Sequence, residues 1–369
     1  MSIRKVVCHL TTAHPANDGR IYYRECLSLS MKSNYKVILL ANGTLPEPKE
    51  VFHINLGVIP GNRVTRIFRS QFLGLKAILK VKADLWHIHD PELLICASIL
   101  ILLRKKIIWD AHEDYFLQFE RKVHYRSYMP IFLDVLIGRF VITLLKFVDR
   151  NAAAVVCATK SIESKYTNSN KVIVGNEARL EEFRECHPTF FNNKILFTGS
   201  TDYSQSFREN VLAISRFPEL CLTVAGRFKD DSDWKFAKEI LGSRIQHLGW
   251  LNRKELAKAI SNSKLGLLTY NDAPTNETNS PNKKFEFSAG GLPCIATPTQ
   301  ANIEWNKESG GAFLANGFGT EDIALAIEKA ISSIGEWEKC SNSTRNWSES
   351  FGNWSISENR LLELYRKLE

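Results

Sequence analysis

Short apolar runs of strand length alternate with helix-length stretches along almost all of this chain, which confines the fold to parallel α/β sheets covered by helices. In the first half the runs fall at 5–11, 36–40, 84–90, 107–110, 154–157 and 171–174. In the second they fall at 195–199, 220–225, 245–248, 265–268 and 293–296. Most lack an in–out alternation, as expected of strands buried on both faces. With 369 residues and 44% apolar composition the chain exceeds one ordinary core. Two Rossmann-like, doubly wound domains are expected, over 1–176 and 194–354. Residues 177–193, of mixed charge and no period, read as a linker, and 355–369 as an amphipathic closing helix.

The most specific stretch is 280–297, SPNKKFEFSAGGLPCIAT. Ser280 is placed to cap a helix and Pro281 to open its first turn. The helix start offers free amides and a positive dipole end to an anion, and Lys283 adds a full charge. Lys283 and Glu286 share roughly one face with Asn282. Gly290-Gly291 stops the helix, and 292–296 reads as a short core strand. Other candidate phosphate donors in this half are the loop Gly199-Ser200-Thr201 with Arg208, and Ala225-Gly226-Arg227. A cation beside a diphosphate binds it and stabilises charge developing on a leaving phosphate. Glu286 suits ribose hydroxyls. The same residues also fit an ordinary αβ unit with a solvated lysine pair and a Lys283–Glu286 ion pair.

In the first half His14, His89 and His112 each follow a strand-like run. Ligands of open parallel sheets gather outside the carboxyl ends of the strands, so these loops are expected to line one cleft. A lone histidine in such a place is more commonly structural than functional. His87, His89, Asp90, His112 and Glu113 show no recognised ligand spacing, so no residue is assigned to a metal. The eight cysteines form no CxxC pair and imply no disulfide framework; with no signal peptide read at the start, a reducing cytoplasm is expected. Absence of a GxSxG elbow, a P-loop and a GxGxxG after the first strand weakens hydrolase, P-loop and nicotinamide readings.

Charge is uneven along the chain. Lys and Arg outnumber Asp and Glu by 25 to 14 in residues 1–175 and trail them by 23 to 26 in 176–369, giving the net +8. The excess gathers on an acid-free amphipathic stretch carrying Arg63, Arg66, Arg69, Lys76, Lys80 and Lys82, then on Arg104-Lys105-Lys106, then on Arg121, Lys122 and Arg126. Such a face suits an anionic membrane surface or an anionic acceptor, or is simply solvated. Nucleic acid lacks a supporting motif. Residues 93–103 are too short to span a bilayer, and 129–148 carry Asp134, Arg139 and Lys146, so membrane contact is expected to be peripheral.

Taken in order, His14 with Asp18-Gly19-Arg20-Ile21, then His87-Ile88-His89-Asp90-Pro91-Glu92, Asp110-Ala111-His112-Glu113, Val174-Gly175-Asn176, His247-Leu248-Gly249-Trp250, and Pro281-Asn282-Lys283 to Gly291-Leu292-Pro293 resemble family 4 retaining glycosyltransferases. The resemblance implies a GT-B fold, two Rossmann-like domains facing across a cleft, with a nucleotide-sugar held mostly by the second. It implies transfer of a hexose-type sugar to a lipid-linked or saccharide acceptor, in surface polysaccharide assembly at the inner face of the membrane. No cofactor or metal is implied beyond the nucleotide-diphosphate sugar, UDP- or GDP-linked. Gly19 then approaches the diphosphate, His112 lies beside the transferred sugar, and Arg208 or Arg227 and Lys283 meet the diphosphate. His14 and His89 fall on the acceptor side. Glu286 matches the second glutamate of the family's pair. The first falls on Thr278, with Glu277 one residue away, which is where this chain departs from the pattern. Two other readings share these residues: a nucleotide-sugar epimerase, and a catalytically silent nucleotide-sugar-binding or scaffold protein.

Overall fold

The computed structural model describes residues 5–45, 50–57, 63–117 and 131–369, apart from the side chains of 63–67, 131–134 and 203. The chain forms two compact units, one of residues 1–175 with 357–369 and one of residues 176–356.

In the first unit seven parallel strands run β3-β2-β1-β4-β5-β6-β7. They are β1 (Val6–Pro15), β2 (Lys36–Asn42), β3 (Val51–Asn55), β4 (Leu85–Ile88), β5 (Lys106–Ala111), β6 (Ala154–Cys157) and β7 (Lys171–Ile173). The order reverses between β1 and β4, so the loops leaving these two strands diverge and leave room at their carboxyl ends. Trp86, Trp109, Leu93, Leu100, Leu145 and Val148 fill the core between the sheet and its covering helices. The final helix, Trp354–Leu368, packs its last three turns in this unit. Tyr365 is buried, and the buried Glu358 carboxylate accepts from Ser28 Oγ at 2.6 Å.

The second unit repeats the plan with six parallel strands in the order β10-β9-β8-β11-β12-β13. These are β8 (Lys194–Ser200), β9 (Cys221–Arg227), β10 (Ile245–Gly249), β11 (Leu265–Leu268), β12 (Cys294–Ala296) and β13 (Ala312–Leu314). Two apolar clusters are built around this sheet, one holding Phe197, Val211 and Ile327, the other Leu196, Phe285 and Phe287. Neighbouring strand residues Leu196 and Phe197 fall in different clusters, the sign of a strand covered on both faces.

Strands β3 and β13 escape the periodicity. Val51–Asn55 reads Val-Phe-His-Ile-Asn with only Val51 buried, an edge strand with a mixed pattern, and Ala312–Leu314 is three residues long. Residues 177–193 belong to the second unit, holding the short helix Leu180–Glu182 and a bridge from Ala178 to Asn353.

Candidate functional site

In the second unit the carboxyl ends of β8 and β9 touch. Gly199 lies opposite Gly226, and a Cβ on Gly226 would stand 1.8 Å from the Gly199 carbonyl oxygen, so only glycine lets these strand ends meet. Ser200 pairs with Arg227, whose exposed guanidinium lies 5.3 Å from the centroid of the exposed Trp250 ring. Beyond β8, Ser206 holds a left-handed φ of 46° at the start of the Phe207–Ser215 helix, a strained conformation for a side-chain-bearing residue.

The helix Asn282–Gly290 begins one residue later than its sequence suggests. Pro281, extended at φ −72° and ψ 149°, is the boundary residue, and having no side-chain acceptor it leaves the first turn without a side-chain cap. The expected Ser280 cap is therefore not formed; Ser280 instead offers its carbonyl to Asn176 Nδ2 at 2.9 Å. Asn282 opens the helix. Lys283 is turned inward, 6% exposed, with Nζ 5.0 Å from both the Phe197 and Tyr270 ring centroids and donating to Gln205 Oε1 at 2.9 Å. Among the described residues no carboxylate lies within ion-pair distance of it. Burial lowers its pKa from the usual 10.5 to about 8, against the weaker pull of Cys294, Asp202 and Glu286.

Glu286, one turn on, does not pair with Lys283. Its Oε1 accepts from Arg253 Nη1 at 2.6 Å, and Arg253 also donates through Nε and Nη2 to Glu182 Oε2, making a Glu–Arg–Glu bridge. Arg253 was not singled out in the sequence, since Asn252-Arg253-Lys254-Glu255 looks like an ordinary capped helix start, which it also is. Oε2 of Glu286 receives no hydrogen bond from the described residues.

Two expected donor contacts are engaged elsewhere. Arg208, half-exposed, donates through Nε to Asp233 Oδ1 at 2.8 Å and through Nη2 to Ser232. Glu277 Oε2 accepts from the Gln300 amide at 2.8 Å, at the start of the Gln300–Ser309 helix.

In the first unit the structure brings His14, His89 and His112 together at the ends of β1, β4 and β5. Asp90 accepts from the amides of Thr12 and Ala13 and from Thr11 Oγ1, which fixes the loop that carries His14. The His14 ring lies 5.0 Å, edge-on, from that of His112. Desolvation disfavours the imidazolium of His14, but the hydrogen bond and charge of Asp18, with Asp90 and Glu113 behind it, raise its pKa to about 9. Asp110 is the hub: it accepts from His89 Nδ1 at 2.9 Å, stands 3.5 Å from His112 Nδ1 and binds Arg20 in bidentate fashion. Arg20 Nη1 also donates to the Val174 and Gly175 carbonyls. Gly19 occupies the turn just before it.

Of the basic stretch, the helix Arg63–Lys80 is formed. The side chains of Arg63 and Arg66, and all of Arg121, Lys122 and Arg126, lie outside the described residues. Arg69 is exposed, as are Phe68, Phe72 and Leu79 at 73%, 68% and 87%. Among the described residues no helix is long and apolar enough to cross a membrane.

No protein-family description and no curated protein sequence matches the chain. Solved structures match it over nearly its whole length. The sucrose-phosphate synthase of Thermosynechococcus elongatus is similar with a TM-score of 0.74 and 15% identity, over 99% of each chain. WaaG, a glycosyltransferase involved in lipopolysaccharide biosynthesis, gives 0.73 and 12%, over 97% of this chain and 99% of its own. HepE of Anabaena, solved with UDP-glucose, gives 0.74 and 11%, over 98% and 99%. At these identities the likeness establishes the fold alone: two parallel-sheet α/β domains of the GT-B fold.

Proposed function

We propose that this chain is a glycosyltransferase whose second unit holds a nucleotide-diphosphate sugar, UDP- or GDP-linked, and which transfers the sugar to a lipid-linked or saccharide acceptor with retention. The observation that carries this reading is Lys283. A cation buried without a carboxylate partner, beside a helix start with no side-chain cap and the glycine contact of β8 and β9, is an arrangement that an anion completes. Glu286, held by Arg253 with Oε2 unbonded, is suited to ribose hydroxyls.

On this reading the bond between the anomeric carbon and the diphosphate oxygen breaks, the acceptor hydroxyl oxygen bonds to that carbon on the same face, and its proton passes to the departing diphosphate. Lys283, Arg227 and the helix-start amides stabilise the leaving charge. Arg208 takes part only if it leaves Asp233. His112, whose ring lies 3.3 Å from the Tyr115 hydroxyl and whose Nδ1 lies 3.5 Å from Asp110, is assigned to the transferred sugar, and His14 and His89 to the acceptor side. No metal is assigned to the transfer.

The exposed Phe68, Phe72 and Leu79 beside Arg69, Lys76 and Lys80 support peripheral docking on an anionic membrane, where a lipid-linked acceptor would lie. The engagement of Glu277 in the Gln300–Ser309 helix start, with Thr278 in the motif position, favours one second reading, a silent nucleotide-sugar-binding protein.

Calorimetry with UDP, GDP and their sugars, with and without a chelator, tests the donor site, and product analysis with mixed glycan and lipid acceptors tests transfer. Chelator-resistant binding with turnover supports the proposal. Binding without turnover selects the silent reading, sugar conversion without acceptor an epimerase, and no binding by folded protein refutes the donor site.

A further inference from the structure

Behind Asp110, under the switch point of the first sheet, lies a second cluster that shares only His89 with the acceptor-side residues above. His9 on β1 stands opposite His87 on β4, and His89 follows two residues later on the same face. Glu25 reaches them from Ile21–Cys26, a single π-helical stretch, a wide turn that often marks a functional position. All four side chains are fully buried, and one donor atom from each lies within 4.8 Å of the others.

We propose that His9, Glu25, His87 and His89 form a structural divalent-cation site of the zinc class. His9 Nδ1 is 3.0 Å from His89 Nε2 and 3.9 Å from Glu25 Oε2, and His87 Nδ1 is 3.8 Å from the same oxygen. Nitrogen and oxygen ligands about 2.0–2.1 Å from one tetrahedral ion stand roughly 3.4 Å apart, so small shifts bring all four onto one centre. Asp110 accepts from His89 Nδ1, which turns the Nε2 lone pair inward, as carboxylates do behind metal-bound histidines. The Tyr365 hydroxyl, 2.8 Å from His87 Nδ1 and 3.4 Å from His9 Nε2, sits at the rim.

Glu25 is the second, independent pointer to a ligand. Neither of its oxygens has a hydrogen-bond partner. Arg20 Nε lies 3.2 Å from Oε1 but directs its N–H at Asp110. A proton on Glu25 would not satisfy it, since both imidazole nitrogens facing Oε2 lie beyond hydrogen-bond reach. The His9–His89 and His87–Tyr365 hydrogen bonds leave the carboxylate unmet, and a cation among the four groups would replace them and satisfy it. The proposal does not rest on the glycosyl-transfer reading, and it gives His89 a cation in place of the acceptor.

The test is metal analysis of the full chain grown in zinc- or cobalt-supplemented minimal medium and passed through a chelating column. The expected result is about one ion per chain, with visible bands of four-coordinate cobalt in the cobalt-grown protein. Glu25→Gln and His87→Gln should lose the ion, and Asp110→Asn should weaken retention by roughly tenfold or more. His187→Gln, at an exposed histidine elsewhere, should keep it. Circular dichroism separates metal loss from unfolding. Folded wild type holding less than about a tenth of an ion per chain under both growth conditions overturns the site, as does full retention in both ligand variants.

Discussion

Lys283→Met should make the free protein more stable and its nucleotide-sugar binding weaker, a pairing that follows from a cation held in a place only an anion suits. Lowering the lysine pKa from 10.5 to about 8 by burial corresponds to roughly 3 kcal/mol against the charged form at neutral pH. Methionine fills similar volume without that penalty. It forfeits the contact with Gln205 and the two ring faces, together about 1–2 kcal/mol, so a net gain of about 1–2 kcal/mol is expected at pH 7. The sign with pH follows from proton counting. Between pH 8 and 10.5 the unfolded lysine holds a proton that the folded one has released, so wild-type stability rises with pH through that window. The penalty is present in full below pH 8, and the gap between wild type and variant should close as the pH climbs. Urea unfolding of both proteins at pH 7, 8.5 and 10 measures the difference, and calorimetry with the nucleotide-sugar found to bind measures affinity, expected to fall at least about tenfold for one lost charge-assisted contact. A variant less stable than wild type at pH 7, with a pH-independent gap and undiminished affinity, would show that Lys283 is a structural residue and refute the reasoning.

Gly226→Ala puts a methyl carbon onto the Gly199 carbonyl and should cost on the order of 2–3 kcal/mol in thermal or urea unfolding while abolishing donor binding; an unchanged midpoint would deny the close contact. Arg253→Met leaves Glu182 and Glu286 facing each other without their shared cation. Stability should drop by about 2–4 kcal/mol, and donor affinity should weaken at least about tenfold as Glu286 loses the cation that orients it, whereas unchanged affinity in calorimetry would detach Glu286 from the donor. Replacing Arg69, Lys76 and Lys80 with Gln should weaken binding to anionic vesicles by roughly a hundredfold, at about 1 kcal/mol per charge, and leave neutral vesicles unaffected; equal binding before and after would end the membrane argument.

The sheets were legible because their strands are buried on both faces, so each shows as an unbroken apolar run whatever its neighbours are. Ala154–Cys157 and Leu265–Leu268 fall where the sequence puts them. The edge strand Val51–Asn55 was not legible: with one face open its side chains are chosen by solvent, and Phe52, at 57% exposed, carries no sign of burial. Helix starts suffer from a different ambiguity. Ser280 and Pro281 both carry start signals, and only the extended ψ of Pro281 decides that the helix begins at Asn282.

For the candidate site, legibility stops where chemistry depends on a long-range partner. Lys283 and Glu286 stand out by spacing on one helix, yet the spacing suggests they satisfy each other, and the fold gives each a different partner 33 to 78 residues away. Separating the pair in this way is what leaves a charge over for a ligand. Had Lys283 met Glu286, the helix start would carry a neutral pair and little reason to attract a diphosphate. Arg253 is thus the residue that frees Lys283. It bonds both Glu286 and Glu182, so the buried carboxylate nearest the lysine in sequence is already held by a cation. Glu277 follows the same logic in reverse. Its position beside the motif makes it look like a donor ligand, but the amide of Gln300 takes its carboxylate. A donor contact through Glu277 would therefore cost the Gln300–Ser309 helix about 1 kcal/mol of capping. Glu277→Gln, which keeps the acceptor oxygen, should consequently change donor affinity less than Glu286→Gln does, and the reverse order in calorimetry would move the ribose contact to Glu277.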